Sequence, residues 1–337
     1  MIHPAARLLY PVGNAALGAF GRYRARSYDI RDTILVSSSG RGGSTWLAEI
    51  VATLPGRILI WEPLHLKNNP DCVRYGFTWQ NYIRPGSAAP EKCAYLERLF
   101  RGEELSTRTL TSLHFHISSF IAHRGYVVKF VNANMMLYWL LQQIPLRAVL
   151  MVRHPCAVVS SQLIHGAWEG LRKEALTIPE GLFRDYPQFQ ATFDWIREPE
   201  EVLAFEWAMQ THVPLSQPLP HPWLLTTYEG LVKRGAEEVA RIFKFLGEPV
   251  PSVAYRRLTT ASATTVSDSN VMAGKDPLLG WQSRLSSKQI ANVLRVTKAM
   301  GIDYYKEDVE PNYHLLPGYE QASRRMPETE QMLRGVK

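Results

Sequence analysis

TILVSSSGRGGSTWLAEIVATL, residues 33–54, reads as a buried strand, a glycine-rich turn and a helix in one unbroken stretch. Residues 33–36 are β-branched and aliphatic, as a buried strand requires. They run into Ser37, Ser38, Ser39 and Gly40. From Ser44 onward Trp46, Leu47, Ile50, Val51 and Leu54 recur at helical spacing, with Ser44 or a neighbour as the expected cap. Pro55-Gly56 ends that helix. Glycines between a strand and a helix let backbone N–H groups approach a phosphate, and the helix start adds a favourable dipole. Arg41 contributes charge, and Ser44 and Thr45 contribute hydroxyl donors. A plain turn uses the same residues, so the loop needs a second feature to fix its meaning.

The flanking sequence repeats the strand–helix rhythm. Residues 57–61 (RILIW) predict a second strand, closed by Glu62-Pro63. Residues 67–110 are less regular and bring Tyr75, Phe77, Trp79 and Tyr82 close together. Strands are expected at 126–131, 146–152 and 223–227, and helices at 135–143, from about Ala157 through Ser161, at 200–213, 236–246 and 288–300. The four prolines of 214–222 predict a rigid connection rather than a helix. No internal repeat or low-complexity segment is present. This alternation predicts an α/β fold: a single domain with a central, mostly parallel sheet flanked by helices, and ligands at the carboxyl ends of the strands.

The bulk properties agree. The chain has 337 residues, with 46% apolar and 20% charged, so a packed core is expected over 29–310, between an N-terminal extension (1–28) and a C-terminal tail (311–337). A net charge of +7 suits a polyanionic ligand; a nucleic acid or membrane surface suits it equally. No run of five like charges occurs, so no nucleic-acid partner is expected. Three cysteines without a CxxC pair argue against a disulfide framework or a cysteine zinc site, and make a reducing, cytoplasmic setting the simplest. Within 1–28, four arginines flank an apolar stretch and no acid precedes Asp29. A docked extension, a surface-lying helix and a weak targeting peptide all fit. Pro11, Gly13, Asn14 and Gly18 are expected to interrupt the segment, which is too short to span a bilayer.

The loop is not a Walker A motif, because no GxxxxGK[ST] string occurs. Its order, Arg41-Gly42-Gly43-Ser44-Thr45-Trp46, resembles the 5′-phosphosulfate loop of sulfotransferases that use 3′-phosphoadenosine-5′-phosphosulfate (PAPS). A second segment, LRAVLMVRHPCAVVSSQ (146–162), places Arg153 at a strand end and Ser161 eight residues later on a helix. This resembles the 3′-phosphate motif of the same family. Taken singly, Arg153 reads as a structural ion pair and Ser161 as a helix-surface residue; the two motifs in this order read together. Tyr228-Glu229-Gly230-Leu231 followed by Phe245-Leu246-Gly247 resembles a further family segment, as does Gly280-Trp281-Gln282-Ser283-Arg284-Leu285. The resemblance runs from about Asp29 to Tyr305. It implies a P-loop NTPase-like sulfotransferase fold, PAPS as donor with no metal, and donor contacts from Arg41, Gly42, Gly43, Ser44, Thr45, Trp46, Arg153, Ser161, Tyr228, and Arg284 or Lys275. Many members carry serine where this chain has Gly42, so one side-chain contact is absent.

Sulfuryl transfer needs positioned cations and a base for the acceptor's proton. Lys129 stands where some members carry the lysine of a Lys-x-His motif, but the histidine position is Val131. Other members use a glutamate after the second strand, and Glu62 stands there. Glu62 is therefore the expected base, with Lys129 and Arg41 stabilising charge. A helix cap or ion-pair partner is the structural alternative for Glu62. His65, His114 and His116 are reserves, and His114-x-His116 lacks a third metal ligand at a suitable spacing. Two other classes remain open: a nucleotide kinase-like phosphotransferase and a non-catalytic nucleotide-binding module. The acceptor is expected to be a small molecule, a carbohydrate or a lipid. The aromatic residues of 75–82 and Trp168 are candidates for its pocket or for core packing.

Overall fold

The structure is a computed structural model that describes residues 4–110, 116–131, 133–265, 274 and 276–319, with side chains from residue 13 onward. Five strands form one parallel sheet: β1 (Ile34–Ser38), β2 (Arg57–Trp61), β3 (Gly125–Val131), β4 (Arg147–Val152) and β5 (Leu224–Thr227), in the order β2-β3-β1-β4-β5. The expected α/β class, with a single parallel sheet between helical layers, is what the chain adopts. All five strands are almost wholly buried. Alternate residues of a strand face opposite sides. Leu35, Ile60, Val128, Leu150 and Leu225 join the core on one face, and Ile34, Val36, Leu59, Val127 and Met151 join the core on the other.

The first core is filled by the helices Leu137–Gln143, Pro155–Leu163, Pro199–Leu215 and Ser287–Ala299. Trp139 and Trp207, each 1% exposed, are its most deeply buried tryptophans. Truncating either to alanine would cost about 3–5 kcal/mol. The second core lies under Ser44–Val51 and Gly235–Phe245.

Four local expectations are corrected. The helix after the glycine loop is preceded by Gly43 with no side-chain cap, so Ser44 is its first residue rather than its cap. The helix expected near Ala157 begins at Pro155, where the missing N–H costs nothing. The helix at 199–215 continues through Pro214, because its buried neighbours outweigh one lost hydrogen bond in the last turn. The helix Pro90–Phe100, with Tyr95, Leu96, Leu99 and Phe100 buried, falls in the stretch read as irregular.

The N-terminal extension is likewise one helix, Pro4–Ala25, rather than an interrupted segment. Tertiary contacts hold it. Asn14 Oδ1 accepts from the backbone N–H and the hydroxyl of Thr107, both at 2.8 Å. Arg24 Nη2 donates to the carbonyl of His123 at 2.9 Å. A Cβ at Gly21 would lie 1.9 Å from the carbonyl oxygen of Gly102, so glycine permits the close approach. Among the described residues, no helix is long and apolar enough to cross a membrane.

Candidate functional site

The strand register aligns the carboxyl ends. Trp61 pairs with Lys129, Ser38 with Val131 and Met151, and Val152 with Thr227. The residues just past those ends are the glycine loop, Glu62, Arg153 and Tyr228. A cavity of about 890 Å³ opens there. Arg41, Gly43, Ser44, Thr45, Trp46, Glu62, Lys129, Arg153, Ser161, Tyr228 and Arg284 all line it. Of the expected site residues within the described part, only Gly42 does not.

Gly42 is turned into the molecule instead. A Cβ there would lie 2.1 Å from Ser38 Oγ and 2.9 Å from the carbonyl of Ser39. A serine at this position would collide with the strand end, which explains the glycine. Gly43 has φ 100°, and its missing Cβ leaves room for the Tyr228 ring, 2.6 Å from where a Cβ would stand. Tyr228 in turn packs on Trp46 (centroids 5.5 Å apart), whose Nε1 donates to the carbonyl of Arg257 at 3.0 Å.

Arg41 and Arg153 meet across this turn. Arg41 Nε donates to Ser161 Oγ at 3.0 Å and Nη1 to the carbonyl of Thr264 at 3.3 Å. Arg153 Nη1 donates to the carbonyl of Arg41 at 3.2 Å, and its guanidinium lies 4.0 Å from the Tyr228 ring centroid. Those acceptors are all neutral. Arg153 Nε is buried without a partner among the described residues. Burial, then the charge of Arg153, push Arg41 below the usual arginine range, with Glu62 opposing. Two converging guanidiniums met by neutral groups make a site that favours a polyanion.

Glu62 and Lys129 form an ion pair, with Lys129 Nζ on Glu62 Oε1 and 3.9 Å from the centroid of Trp61. Lys129 is 2% exposed, and burial lowers its pKa while Glu62 opposes that shift. Glu62 and Arg41 are the two non-glycine residues at positive φ among the described residues, at 39° and 69°. Each such residue costs of order 1–3 kcal/mol, and such strain clusters at functional sites.

Of the reserves, His65 lines the cavity and His116 is exposed before a short helix outside it; His114 lies outside the described residues, as does Lys275. Among the described residues, no group of three or more His, Cys, Asp or Glu side chains is placed to hold a metal ion.

No protein-family model and no curated protein matches the chain. Solved sulfotransferase structures are similar in chain path. The sulfotransferase domain of a Synechococcus olefin synthase shares 16% identity, covering 80% of this chain and 94% of that one, at a TM-score of 0.42. The sulfotransferase domain of the curacin biosynthetic pathway shares 18% identity, covering 80% and 97%, at 0.43. A mouse sulfotransferase complexed with PAP, 3′-phosphoadenosine-5′-phosphate, shares 16%, covering 85% and 91%, at 0.43.

The cavity also contains residues that sequence reasoning did not single out. Gln80 and Glu206 line it, as do residues of 258–265. Arg257 pairs with Glu49, whose Oε1 accepts from the N–H of Ala263 at 3.1 Å, tying that segment beside the glycine loop. Its Thr-, Ser- and Ala-rich sequence carries no periodicity, so only a loop was legible. The aromatic stretch divides. Trp79 reaches the cavity, whereas Phe77 is buried in the core and Tyr82 donates to Asp185 Oδ2 at 2.6 Å. Trp168 lines the cavity.

Proposed function

We propose that the chain transfers a sulfuryl group from PAPS to a hydroxyl or amine of an acceptor. One observation carries this reading: Arg41 and Arg153, from strand ends 112 residues apart, converge in a single cavity on neutral partners. Half-buried guanidiniums whose hydrogen-bond acceptors are all neutral favour a bound anion. A doubly phosphorylated adenosine matches the two cradles. The Gly43–Trp46 amides and hydroxyls with Arg41 would hold its 5′ end, Arg153 and Ser161 its 3′-phosphate, and Trp46 with Tyr228 its base. The unpartnered Nε of Arg153 fits an additional phosphate oxygen. Arg284, which also lines the cavity, would approach the same phosphate.

When bound, PAPS supplies the activated sulfuryl group. Glu62 takes the proton from the acceptor as its oxygen or nitrogen becomes the nucleophile. Lys129 holds Glu62 Oε1, which fixes the carboxylate and leaves Oε2 for that proton. Lys129 and Arg41 keep positive charge where the transferred group gathers negative charge. The buried strand pairing of Trp61 with Lys129 fixes this geometry before any ligand arrives.

Calorimetric titration with PAP tests the reading. The parent protein should bind, and Arg41→Ala and Arg153→Ala should each bind severely more weakly. Equal affinity in all three proteins would remove the basis of the assignment.

A further inference from the structure

Glu206 sits inside the helix Pro199–Leu215, 9% exposed, and lines the same cavity. Its Oε1 accepts from Gln80 Nε2 at 2.6 Å, and the side chain of Trp168 lies beside it. Gln80 is held in turn by Gln210, whose Nε2 donates to Gln80 Oε1 at 3.1 Å. These partners are all neutral. Among the other buried glutamates, Glu49, Glu201 and Glu238 each meet an arginine, while Glu200 and Glu229 also rest on neutral donors but do not line the cavity. Glu206 meets no cation among the described residues. Burial lifts its carboxyl to about 7, so near neutrality it stands between its two forms.

The surroundings complete the pattern. Trp79 and Trp168 line the cavity beside Glu206, together with Leu171 and Leu176. The wall is continuous with the reacting end. His65 N–H donates to the carbonyl of Glu62 at 2.9 Å, and its ring lies 5.0 Å from that of Trp79, the neighbour of Gln80. Thus Glu62 and Glu206 belong to one continuous lining.

We infer that the Glu206 end of the cavity receives a positively charged amine, so that the acceptor is an amine-bearing molecule with an apolar or aromatic body. A buried carboxyl supported only by neutral donors is costly as an anion, and a ligand ammonium offsets that cost. Indole faces attract the same cation, and the leucines accommodate the apolar body. An acidic ligand would meet repulsion at this end. The inference rests on the proposed function only in calling the ligand an acceptor.

Matched ligands test it by binding, without turnover. Tyramine is compared with 4-ethylphenol and with 3-(4-hydroxyphenyl)propionate, and tryptamine with 3-ethylindole, by calorimetry at neutral pH. Each amine should bind roughly tenfold or more tightly than its neutral partner, and the propionate weakest. Glu206→Gln, similar in size, should bring the pairs to parity. No binding by either amine, equal binding of amine and neutral partner in the parent, or a preference that survives Glu206→Gln would each overturn the inference. The parent comparison stands even where the variant folds poorly. PAP titrated into the same samples separates the two readings. Amine preference without PAP binding removes the sulfuryl-transfer reading alone, and PAP binding without amine preference removes this one alone.

Discussion

At the end of the cavity where Arg41 and Arg153 meet, most groups come from strand ends, the turns after them and the helices those turns lead into. At the end where Glu206 lies, the groups come from a helix interior, a loop and a short 3₁₀ turn. The first end is fixed by the sheet: register sets Glu62 beside the end of β3 and Arg153 beside Tyr228, with β1 and its glycine loop between the two pairs. The second end is fixed by side-chain packing and by one chain of hydrogen bonds, Gln210 to Gln80 to Glu206. A backbone-built site tolerates ligand exchange without moving, whereas a side-chain-built site can change specificity without altering the fold.

Substitutions can break or sharpen that contrast. The largest effect is expected at Glu62. Glu62→Gln should lower kcat on the order of a thousandfold, measured with saturating PAPS, while PAP affinity holds. Normal turnover would place the base elsewhere, and a parallel loss of PAP affinity would make Glu62 a structural ion-pair partner. Next comes Arg153→Ala, expected to weaken PAP on the order of a hundredfold by calorimetry, through lost charged contacts. If the amine ligands still bind that variant with parent affinity, the two ends act independently. Third, Glu206→Gln should abolish the roughly tenfold amine preference and leave PAP affinity unchanged. A fall in PAP affinity would mean that the ends are coupled. The smallest effect is expected at Gly42. Gly42→Ser introduces a Cβ 2.1 Å from Ser38 Oγ and should cost about 1 kcal/mol, roughly two degrees of melting temperature. Ser38→Ala in the same chain should restore it; no rescue would point to strain against the Ser39 carbonyl instead.

Legibility in the sequence follows the same division. Residues 33–54 and 146–162 could be read because strand, turn and helix are contiguous there, and a phosphate cradle needs that contiguity. Glu62 is singled out by the resemblance to sulfotransferases, at a position that directly follows a short apolar strand. Gln80 and Glu206 could not. They lie 126 positions apart, and a glutamate inside a helix of apolar residues carries no local sign of facing a cavity. Even Trp79 could not be separated from Phe77, since both belong to one aromatic cluster and only packing sends one to the cavity and the other to the core. The unbroken helix Pro4–Ala25 was hidden for a similar reason. Its glycines disfavour a helix locally, and the contacts at Thr107, Gly102 and His123 are all remote in sequence.

The amino-acid order alone determined the strand–helix alternation, the parallel sheet, and the two cationic turns at strand ends, because periodicity and turn chemistry act over a few residues. Tertiary structure alone decided that the two turns share one cavity, that Glu62 and Arg41 are held at positive φ, that Lys129 is buried against Glu62, and that Glu206 faces inward beside two indoles. Those outcomes depend on sheet register and on packing between distant segments, and neither is encoded within any single stretch of the chain.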